Sequence, residues 1–424
     1  KSFLYYVDAN NLYGIAMSQF LPIGNFKWLS DENIKLLNIL NIPDDSEKGY
    51  ILEVDIEYCT NLHDVHKDLP FCCEIKCPGE SKTKKLLTTL EPKLNYVVHY
   101  RVLKQAIQNG LKVTKIHKVI SFDQKPWLKP YIELNSNKRL HANNDFEKDF
   151  FKLMNNAVFG KTMENVRKRI DFRLVCNDKT LIKLISKSNF LDRVIYNERL
   201  AGIHLTKSNL VFDKATYVGM CILDISKTFM YDFHYNVMKH CFDGNVKLCY
   251  MDTDSFIYNV ITQNLYEDMK KYQKYLDTSC YPPDHPLYSL ENKGVVGKFK
   301  DESSSKVIQE FVGLRAKMYA IKFGDECSKK LKGIKKNVVK QEILFEDYLN
   351  CLKTGNYTYH QNKCIRSYKH EVYSICMNKL SLSAHDDKRV IMSDGINTLP
   401  YGHYKLSDED DEDEPPAKKT KNNT

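Results

Sequence analysis

No stretch of the sequence approaches the roughly 18 consecutive apolar residues of a membrane-spanning helix. The most apolar short run, Val218 to Leu223, is flanked by Lys214 and Asp224. The sequence also lacks an internal repeat, and because Lys1-Ser2-Phe3-Leu4 runs directly into a strand-like stretch we expect no cleavable signal segment. With 28% charged and 42% hydrophobic residues among 424, the composition excludes a collagen-like or wholly disordered chain, and we expect no membrane partner. The chain begins with Lys1 rather than Met, so we interpret it as part of a longer gene product.

Disulfide and zinc signatures are lacking as well. The thirteen cysteines follow no repeated spacing, which in a chain without a secretory signal favours reduced, intracellular thiols. One stretch crowds possible zinc ligands, namely Cys59, His63, His66, Cys72, Cys73 and Cys77. Their spacings match none of the usual paired zinc motifs, so we predict no zinc site there.

Charge is distributed unevenly between the body of the chain and its end. Residues Asp408 to Glu414 are all acidic, and Lys418, Lys419 and Lys421 follow them. Without these ten residues the chain has 60 basic and 47 acidic side chains, a net charge of +13, which favours a polyanionic partner. We predict that residues 407–424 are disordered. The segment from Pro415 to Lys421 is either a nuclear-import signal or a merely solvated terminus.

The hydrophobic pattern predicts a mixture of strands and helices. Strands are predicted over Ser2 to Val7, Tyr50 to Ile56 and Leu111 to Ile120, and a β-hairpin over Val246 to Met251 and Phe256 to Val260. Helices are predicted near Asn95 to Gln108, after Asn144, and around Lys340 to Leu352.

Two places put carboxylates at the ends of predicted strands. Asp8 closes the first strand, and Asp252 and Asp254 lie at the tip of the hairpin. Residues two apart on extended chain point to the same side, so one hairpin can aim both aspartates at one point. Such oxygen ligands suit Mg²⁺, and two ions about 3.5–4 Å apart can activate a hydroxyl and stabilise the leaving oxygen in phosphoryl transfer. Taken alone, Asp-Thr-Asp-Ser is more typical of a polar turn.

The helix predicted after Asn144 supplies positive charge. Asn144 with Glu147 resembles a capping box. An apolar side is expected from Phe146, Phe150, Leu153, Met154, Ala157 and Val158. On another face, Lys152 could hold a triphosphate, while Asn156 and either Phe159 or Gly160 recur at helical spacing and leave a flat place for a base. Taken alone, Lys152 is more typical of a solvated lysine on an amphipathic helix.

Three motifs occur in order along the chain. They are Asp8-Ala9-Asn10-Asn11-Leu12-Tyr13-Gly14, Lys152-Leu153-Met154-Asn155-Asn156-Ala157-Val158-Phe159-Gly160 and Tyr250-Met251-Asp252-Thr253-Asp254-Ser255. In this order they resemble the A, B and C motifs of family B DNA polymerases, and Lys317-Met318-Tyr319 lies where that family has its Lys-x-Tyr signature. Residues 144–151 and 394–398 resemble the protein-primed branch carried by Maverick/Polinton-type transposons. The resemblance covers the chain to about Leu406.

The resemblance implies a function and a role for each motif. The reaction would be template-directed addition of dNTPs to a primer 3′-hydroxyl, with primer–template DNA and a terminal priming protein as partners. The metal ligands would be Asp8 and Asp254 for two Mg²⁺ ions (Mn²⁺ as a substitute), with Asp252 beside them and the Ala9 carbonyl as a further ligand. The incoming nucleotide would meet Asn11, Leu12, Tyr13, Lys152, Asn156, Phe159 and either Lys138 or Arg139. Tyr13 would exclude a ribose 2′-hydroxyl, and Gly160, Lys317 and Tyr319 would contact DNA.

The implied fold is an α+β right-handed palm, fingers and thumb, with an antiparallel palm sheet and helices on one face. It divides the chain into a first palm strand (1–24), an insertion resembling the terminal-protein region (25–125), fingers (126–170), palm with the catalytic hairpin (171–300), thumb and duplex-binding region (301–406) and tail (407–424).

The sequence departs from the family pattern in a few places. Gly14, Ala157 and Phe159 stand where many members have Pro, Ser and Tyr, but these changes remove neither a metal ligand nor Lys152. Asp55-Ile56-Glu57 resembles the first carboxylate motif of a proofreading exonuclease, yet it follows Asp8 instead of preceding it. We therefore predict an ordinary strand there and no exonuclease.

Two other interpretations stay open on the sequence alone. A reverse transcriptase or RNA-dependent polymerase would share the palm carboxylates, although its hairpin usually carries adjacent aspartates. A non-catalytic nucleic-acid-binding remnant of a transposon is an alternative from another class. Measuring dNTP incorporation and DNA binding in parallel distinguishes these interpretations.

Overall fold

The structure of the chain is a computed structural model that describes residues 1–79, 81–368 and 371–406. The predictions for the acidic run and the nuclear-import signal lie outside the described residues. Within those ranges, the helices are all too short or too polar to cross a membrane.

The first third of the chain is mainly strand. Its elements are β1 (Ser2–Ala9), α1 (Leu12–Met17), β2 (Leu21–Trp28), α2 (Asp31–Leu36), β3 (Lys48–Glu57), α3 (His63–His66), β4 (Glu74–Lys76), β5 (Lys85–Leu87), β6 (Lys93–His99), α4 (Tyr100–Gln108) and β7 (Lys112–Lys125). The predicted helix near Asn95 is wrong in its first turn, because residues up to His99 pair with β3. Val97 and Val98 in this stretch are β-branched, which favours the strand.

The middle of the chain is mainly helical. Its elements are α5 (Lys129–Leu140), α6 (Asp145–Thr162), β8 (Asp171–Val175), α7 (Asp178–Ile185), β9 (Phe190–Asn197), β10 (Leu200–Leu205), α8 (Thr216–Asp232), a π-helical segment (Phe233–Lys239) and α9 (His240–Phe242). The helix predicted after Asn144 is confirmed, with the Asn144 side chain accepting from the Glu147 N–H at 2.9 Å. The Glu147 carboxylate accepts from the Asn143 N–H instead of completing a capping box at Asn144.

The last part returns to strands. Its elements are β11 (Val246–Met251), β12 (Ser255–Ile261), α10 (Leu265–Lys270), β13 (Leu276–Asp277), β14 (Phe299–Asp301), β15 (Glu310–Arg315), β16 (Met318–Phe323), β17 (Glu326–Leu331), α11 (Lys336–Gln341), α12 (Phe345–Thr354), β18 (Thr358–Tyr368), β19 (Glu371–Leu382), β20 (Val390–Ile391) and β21 (Thr398–Leu399). The predicted hairpin is confirmed as β11 and β12. The predicted helix around Lys340 is two helices, since α12 starts afresh where the Asp347 carboxylate accepts from the Leu344 N–H.

A five-stranded sheet, in the order β11-β12-β1-β14-β13, lies at the centre of the fold. Strand β1 is its middle strand and pairs antiparallel with both β12 and β14, whereas β13 pairs parallel with β14. The sheet is therefore mixed, and the prediction of a wholly antiparallel sheet is wrong at this edge.

The two faces of β1 contact different partners. Tyr5, Val7 and Ala9 are buried in the main core with residues of the π-helical segment and α10. Leu4 and Tyr6 pack on the other face, where β16 contributes Tyr319 and Ile321. Because side chains alternate along a strand, Asp8 lies on the same face as Leu4 and Tyr6. The helices thus cover one face, as predicted, and the sheet β15-β16-β17 covers part of the other.

Other units surround this sheet. Strands β2, β7, β3 and β6 form a four-stranded sheet, and α4 connects it to α8 because the Gln105 side chain donates to the Thr228 carbonyl at 3.0 Å. The main core is continuous between this sheet and the five-stranded one. The division of the chain predicted above places residues 171–205 with the five-stranded sheet. The structure instead gives β8, β10 and β9 a sheet and a small core of their own.

Candidate active site

Asp8 and Asp254 meet at one end of the five-stranded sheet. Strand pairing puts Asp8 opposite Ser255, and the Ala9 N–H donates to the Asp254 carbonyl at 2.7 Å. The hairpin turn is tight, because the Asp254 N–H donates to the Asp252 carbonyl at 2.7 Å and Thr253 adopts a φ of 62°. A β-branched residue seldom adopts such a φ, so the surrounding bonds hold the turn in a strained form. The turn that carries Asp254 is thus fixed directly to the strand that carries Asp8.

The electrostatics of this pair are unfavourable for two bare carboxylates. Burial and the neighbouring carboxylates of Asp254 and Glu302 raise the pKa of Asp8 to about 7, although the charges of Lys152 and Lys300 oppose the shift. Burial also raises the pKa of Asp254, helped by the charge of Asp252. Partly buried carboxylates of this kind are relieved by protonation or by a bound cation.

The available oxygen donors fit a divalent cation that is completed by substrate. The third hairpin carboxylate, Asp252, is engaged elsewhere, since its Oδ1 lies 3.0 Å from Lys317 Nζ. In the described part of the chain, groups of three or more His, Cys, Asp or Glu side chains that could hold a metal are absent. Mg²⁺ is commonly bound through one or two carboxylates plus substrate phosphates. Asp8 and Asp254 supply the two carboxylates that such a site needs.

Asp8→Asn is expected to stabilise the metal-free protein at pH 8. The folded-state pKa of Asp8 is about 7 against 3.8 for an ordinary Asp, so ionised Asp8 costs stability above pH 7. That cost falls as the pH drops from 7 toward 4, where the folded-state side chain is protonated and the unfolded-state side chain is about half protonated, so little of the cost is left. Urea unfolding in EDTA should give a gain of about 2–4 kcal/mol at pH 8 and almost none at pH 4. An equal gain in the free energy of unfolding at both pH values would contradict the view that ionised Asp8 destabilises the metal-free protein.

Tyr13 and Phe159, from two different motifs, stack on each other beside the carboxylates. Their ring centroids lie 4.4 Å apart with an interplanar angle of 20°. Burial and the charge of Asp254 raise the pKa of Tyr13. The structure thereby brings together the two rings that the resemblance assigned to the incoming nucleotide.

The residues before Tyr13 form a capped turn. Asn11 has a φ of 48°, and its side chain accepts from the Gly14 N–H at 3.1 Å as the N-cap of α1. A Cβ at Gly14 would lie 2.2 Å from the Asn11 side-chain nitrogen, so the absence of a side chain at Gly14 leaves room for the Asn11 cap. The Leu12 side chain is buried in the main core. Leu12 can therefore reach substrate only through its backbone, and its contact with the nucleotide stays a prediction.

Helix α6 presents its polar motif residues to solvent. Lys152, Asn156 and Gly160 are exposed, and a Cβ at Gly160 would meet nothing within 4 Å. The charge of Lys152 opposes the rise in the pKa of both Asp8 and Asp254, so its ammonium group acts on this pair of carboxylates.

The predicted apolar side of α6 is wrong as a buried face. Phe146, Phe150 and Leu153 are exposed, and the buried residue of the helix is Asn155, whose amide donates to Ser136 at 3.4 Å. The helix packs as a hairpin with α5 and reaches the core only near Val158 and Phe159.

The two candidates for a second triphosphate contact lie on α5. Both side chains are exposed, and Lys138 Nζ lies 5.7 Å from the centre of the Phe151 ring. Arg139 is thus the less constrained of the two.

The Lys317-Met318-Tyr319 segment contacts the hairpin. The Lys317 N–H donates to the Tyr250 hydroxyl at 2.7 Å, and the Tyr319 hydroxyl lies 3.3 Å from that of Tyr6. Tyr319 is only 4% exposed, so its ring is buried in this arrangement and its contact with a duplex stays a prediction. Half-exposed Lys317 remains accessible.

Several residues that act on the candidate site belong to none of the sequence motifs. Lys300 and Glu302 come from β14 and its end, and their charges act on Asp8. Lys227 of α8 acts on Tyr13 and pairs with Asp224 at 3.0 Å. The buried Asp277 accepts from the side chain of Asn10, a residue of the first motif, at 2.7 Å. The approach of Lys300, Glu302 and Asp277 to the first strand joins residues about 270–290 positions apart, for which the local sequence gives no signal.

The Asp55 motif and the cysteine- and histidine-rich stretch both form hydrogen bonds within the fold. Asp55 accepts from the Asn95 N–H at 2.8 Å and lies 2.8 Å from His117 Nε2, within the four-stranded sheet. In the cysteine- and histidine-rich stretch, His66 Nδ1 lies 2.8 Å from the Tyr58 hydroxyl and His63 Nδ1 accepts from the Tyr404 N–H. All thirteen cysteines lie in the described residues and have free thiols.

The sequence and the fold were compared with known proteins. The family described as DNA polymerase type B, organellar and viral, matches residues 1–190, which is somewhat less than half of the chain. No curated protein sequence matches the chain.

Two solved structures share the fold. Phi29 DNA polymerase complexed with primer-template DNA and incoming nucleotide substrates superposes with a TM-score of 0.56 and 15% identity, covering 91% of this chain and 59% of that one. Its post-translocation binary complex with primer-template DNA gives 0.54 and 15%, covering 90% and 58%. The chain therefore spans about three-fifths of the length of Phi29 DNA polymerase. Over nine-tenths of its own length it has a similar α+β fold, and over residues 1–190 its sequence matches the organellar and viral type B DNA polymerases.

Proposed function

We propose that this chain is the polymerase part of a protein-primed family B DNA polymerase and that it adds dNTPs to a primer 3′-hydroxyl. One observation carries the proposal: Asp8, Asp254, the charge of Lys152 and the Tyr13–Phe159 stack come from three distant motifs and lie together. The family match over residues 1–190 and the likeness in fold to Phi29 DNA polymerase support it. The origin of the chain in a Maverick/Polinton-type transposon is part of the proposal.

The residues present would act in the following way. Asp8 and Asp254 would bind Mg²⁺ together with the triphosphate, and the Ala9 carbonyl would be a further ligand. Mg²⁺ bound there would lower the pKa of the primer hydroxyl and offset charge on the transferring phosphate. Lys152 would support the leaving pyrophosphate. The Tyr13 ring would lie beneath the sugar, and the Phe159 ring would stack near the nascent base pair.

The parts of the fold have proposed roles as well. The five-stranded sheet would be the palm, the α5–α6 hairpin the fingers, and the strands from β15 to β19 the thumb that holds the duplex. The four-stranded sheet with α4 would contact the priming protein. The net charge of +13 outside the tail suits a polyanionic partner, and we propose an intracellular location, nuclear if the basic segment near the end acts as an import signal.

Primer extension tests the proposal. The protein with Mg²⁺, dNTPs and a labelled primer on a DNA template is expected to give template-directed extension products, while anisotropy at a stated salt concentration measures DNA binding. An RNA template of the same sequence is the matched comparison. Binding without extension would favour the non-catalytic remnant, and preferential copying of RNA would favour an RNA-templated polymerase.

A second prediction concerns proofreading. Asp55 is held by the Asn95 N–H and His117 within a sheet, which suits a structural role. Asp55→Ala should therefore leave the fate of a mismatched 3′ end unchanged from that of the parent. A 3′→5′ degradation that disappears in this variant would overturn the prediction.

A further inference from the structure

Asp277 is a buried carboxylate at the end of β13 that no motif includes. It is 3% exposed, and four donors surround it. Its Oδ1 accepts from the Ser279 N–H at 3.1 Å and the Ser279 hydroxyl at 2.7 Å. Its Oδ2 accepts from the Gly294 N–H at 2.8 Å and the Asn10 amide at 2.7 Å. So many donors keep the carboxylate ionised despite its burial.

The bond to Asn10 connects this carboxylate to the turn that carries Asp8. The backbone of Asn10 is held by the same loop, since its N–H donates to the Lys298 carbonyl and its carbonyl accepts from the Gly297 N–H, both at 2.8 Å. Asn10 is thus held by three hydrogen bonds, all to residues 277–298. It follows Ala9 directly and precedes Asn11, which caps α1.

The loop approaches the turn closely because it contains glycine at the point of contact. Gly297 has a φ of 83°, and a Cβ there would lie 3.0 Å from Ile15 Cγ1. Gly294, with a φ of 65°, directs its N–H at the same Asp277 oxygen that binds Asn10. The loop is therefore shaped around Asp277 and packed against the start of α1.

We propose that Asp277 is a positioning residue that acts through Asn10 to fix Asp8 and the Ala9 carbonyl for a divalent cation. The proposal rests on the proposed function only in taking the Asp8 turn as a metal site. Side chains that hold metal ligands in place typically contribute 10–100-fold to metal affinity. Holding matters here because Asp8 lies among other carboxylates that repel it.

The test measures metal binding and catalysis separately. Mn²⁺ titration of the protein alone, followed by electron paramagnetic resonance, is expected to show about 10-fold or more weaker binding in Asp277→Asn and in Asn10→Ala. The double variant should bind no more weakly than the weaker single variant, since both changes break one connection. In primer extension both variants should need correspondingly more Mg²⁺, with primer–template affinity within about 2-fold of the parent.

Asp301→Asn is the matched control. Asp301 is 4% exposed in the adjacent strand β14, where its backbone pairs with Val7, and its side chain accepts from Ser303 and Tyr281 rather than from Asn10. It should lose comparable stability in urea and keep the parental Mn²⁺ affinity. Asn10→Ala, which leaves Asp277 three donors, keeps the test valid if Asp277→Asn does not fold.

The outcomes separate the two proposals. Parental Mn²⁺ affinity in a folded Asn10→Ala, or an equal loss in Asp301→Asn, overturns the role of Asp277. A parent that extends no primer, yet loses Mn²⁺ affinity on these substitutions, overturns the proposed function and leaves the positioning role standing.

Discussion

Asp254→Ala is expected to abolish nucleotide addition, with a loss of at least about 1,000-fold, or about 4 kcal/mol of transition-state stabilisation. DNA affinity should stay within about 2-fold, because it comes mainly from Lys and Arg contacts with phosphates. The variant should fold, since burial and the charge of Asp252 raise the pKa of Asp254, which indicates that its ionised carboxylate costs stability in the metal-free protein. Its backbone carbonyl, which binds the Ala9 N–H, is retained. Single-turnover extension and anisotropy at one salt concentration measure the two quantities.

Asp252→Ala is the matched control for this experiment. Asp252 lies in the same turn but pairs with Lys317, so we expect a smaller loss of activity than at Asp254. Equal losses of activity and DNA binding in folded Asp254→Ala would contradict its assignment as a metal ligand. Equal activity losses at the two positions would show that Asp252 leaves Lys317 and binds metal in the working complex.

Tyr13→Val is expected to raise rNTP incorporation relative to dNTP by about 10-fold or more, corresponding to about 1.4 kcal/mol. The Tyr13 ring is fixed by its stack on Phe159 at 4.4 Å and lies beside Asp254. A rigid ring at this place would fill the space that a ribose 2′-hydroxyl needs, so a smaller side chain should admit it. Steady-state kcat/KM for each nucleotide gives the ratio.

Phe159→Val distinguishes a gate from simple packing. It removes the same aromatic stack but leaves the Tyr13 ring, so it should lower dNTP and rNTP incorporation together. If Tyr13 were only a packed aromatic, its loss would leave a cavity costing about 3–5 kcal/mol and would also lower both. An unchanged rNTP/dNTP ratio in stable Tyr13→Val would remove Tyr13 from the sugar site.

Local sequence patterns predicted the elements that carry the candidate site. The apolar alternation of residues 2–7, the turn around Thr253 and the Asn144 cap each depend on neighbours in the chain, and all three elements are present. The predictions of local structure failed where tertiary contacts determine the conformation or the burial of a segment. Phe146 and Phe150 have helical spacing but lie beyond the reach of the core, and Val97 joins a strand through its pairing with β3.

The roles of single side chains were harder to predict. Leu12 and Tyr319 lie in motifs, yet their side chains are buried in the core. Asp277 and Glu302 lie in no motif, yet the pairing of β14 with β1 brings the segments that contain them close to the turn of Asp8. Burial and cross-sheet pairing are properties of the assembled fold, so a single sequence cannot report them.

The central place of β1 has a consequence for how the protein is made. Both neighbours of this strand, β12 and β14, are encoded far downstream, since residues 2–8 pair with 255–261 and residues 7–9 with 299–301. Ribosomes add about 5–20 residues per second, so β1 waits roughly 12–50 s before β12 exists. During that time its apolar residues and both backbone edges are unpaired, a state prone to aggregation. Productive synthesis therefore depends on keeping the first strand from pairing with other chains until the hairpin emerges.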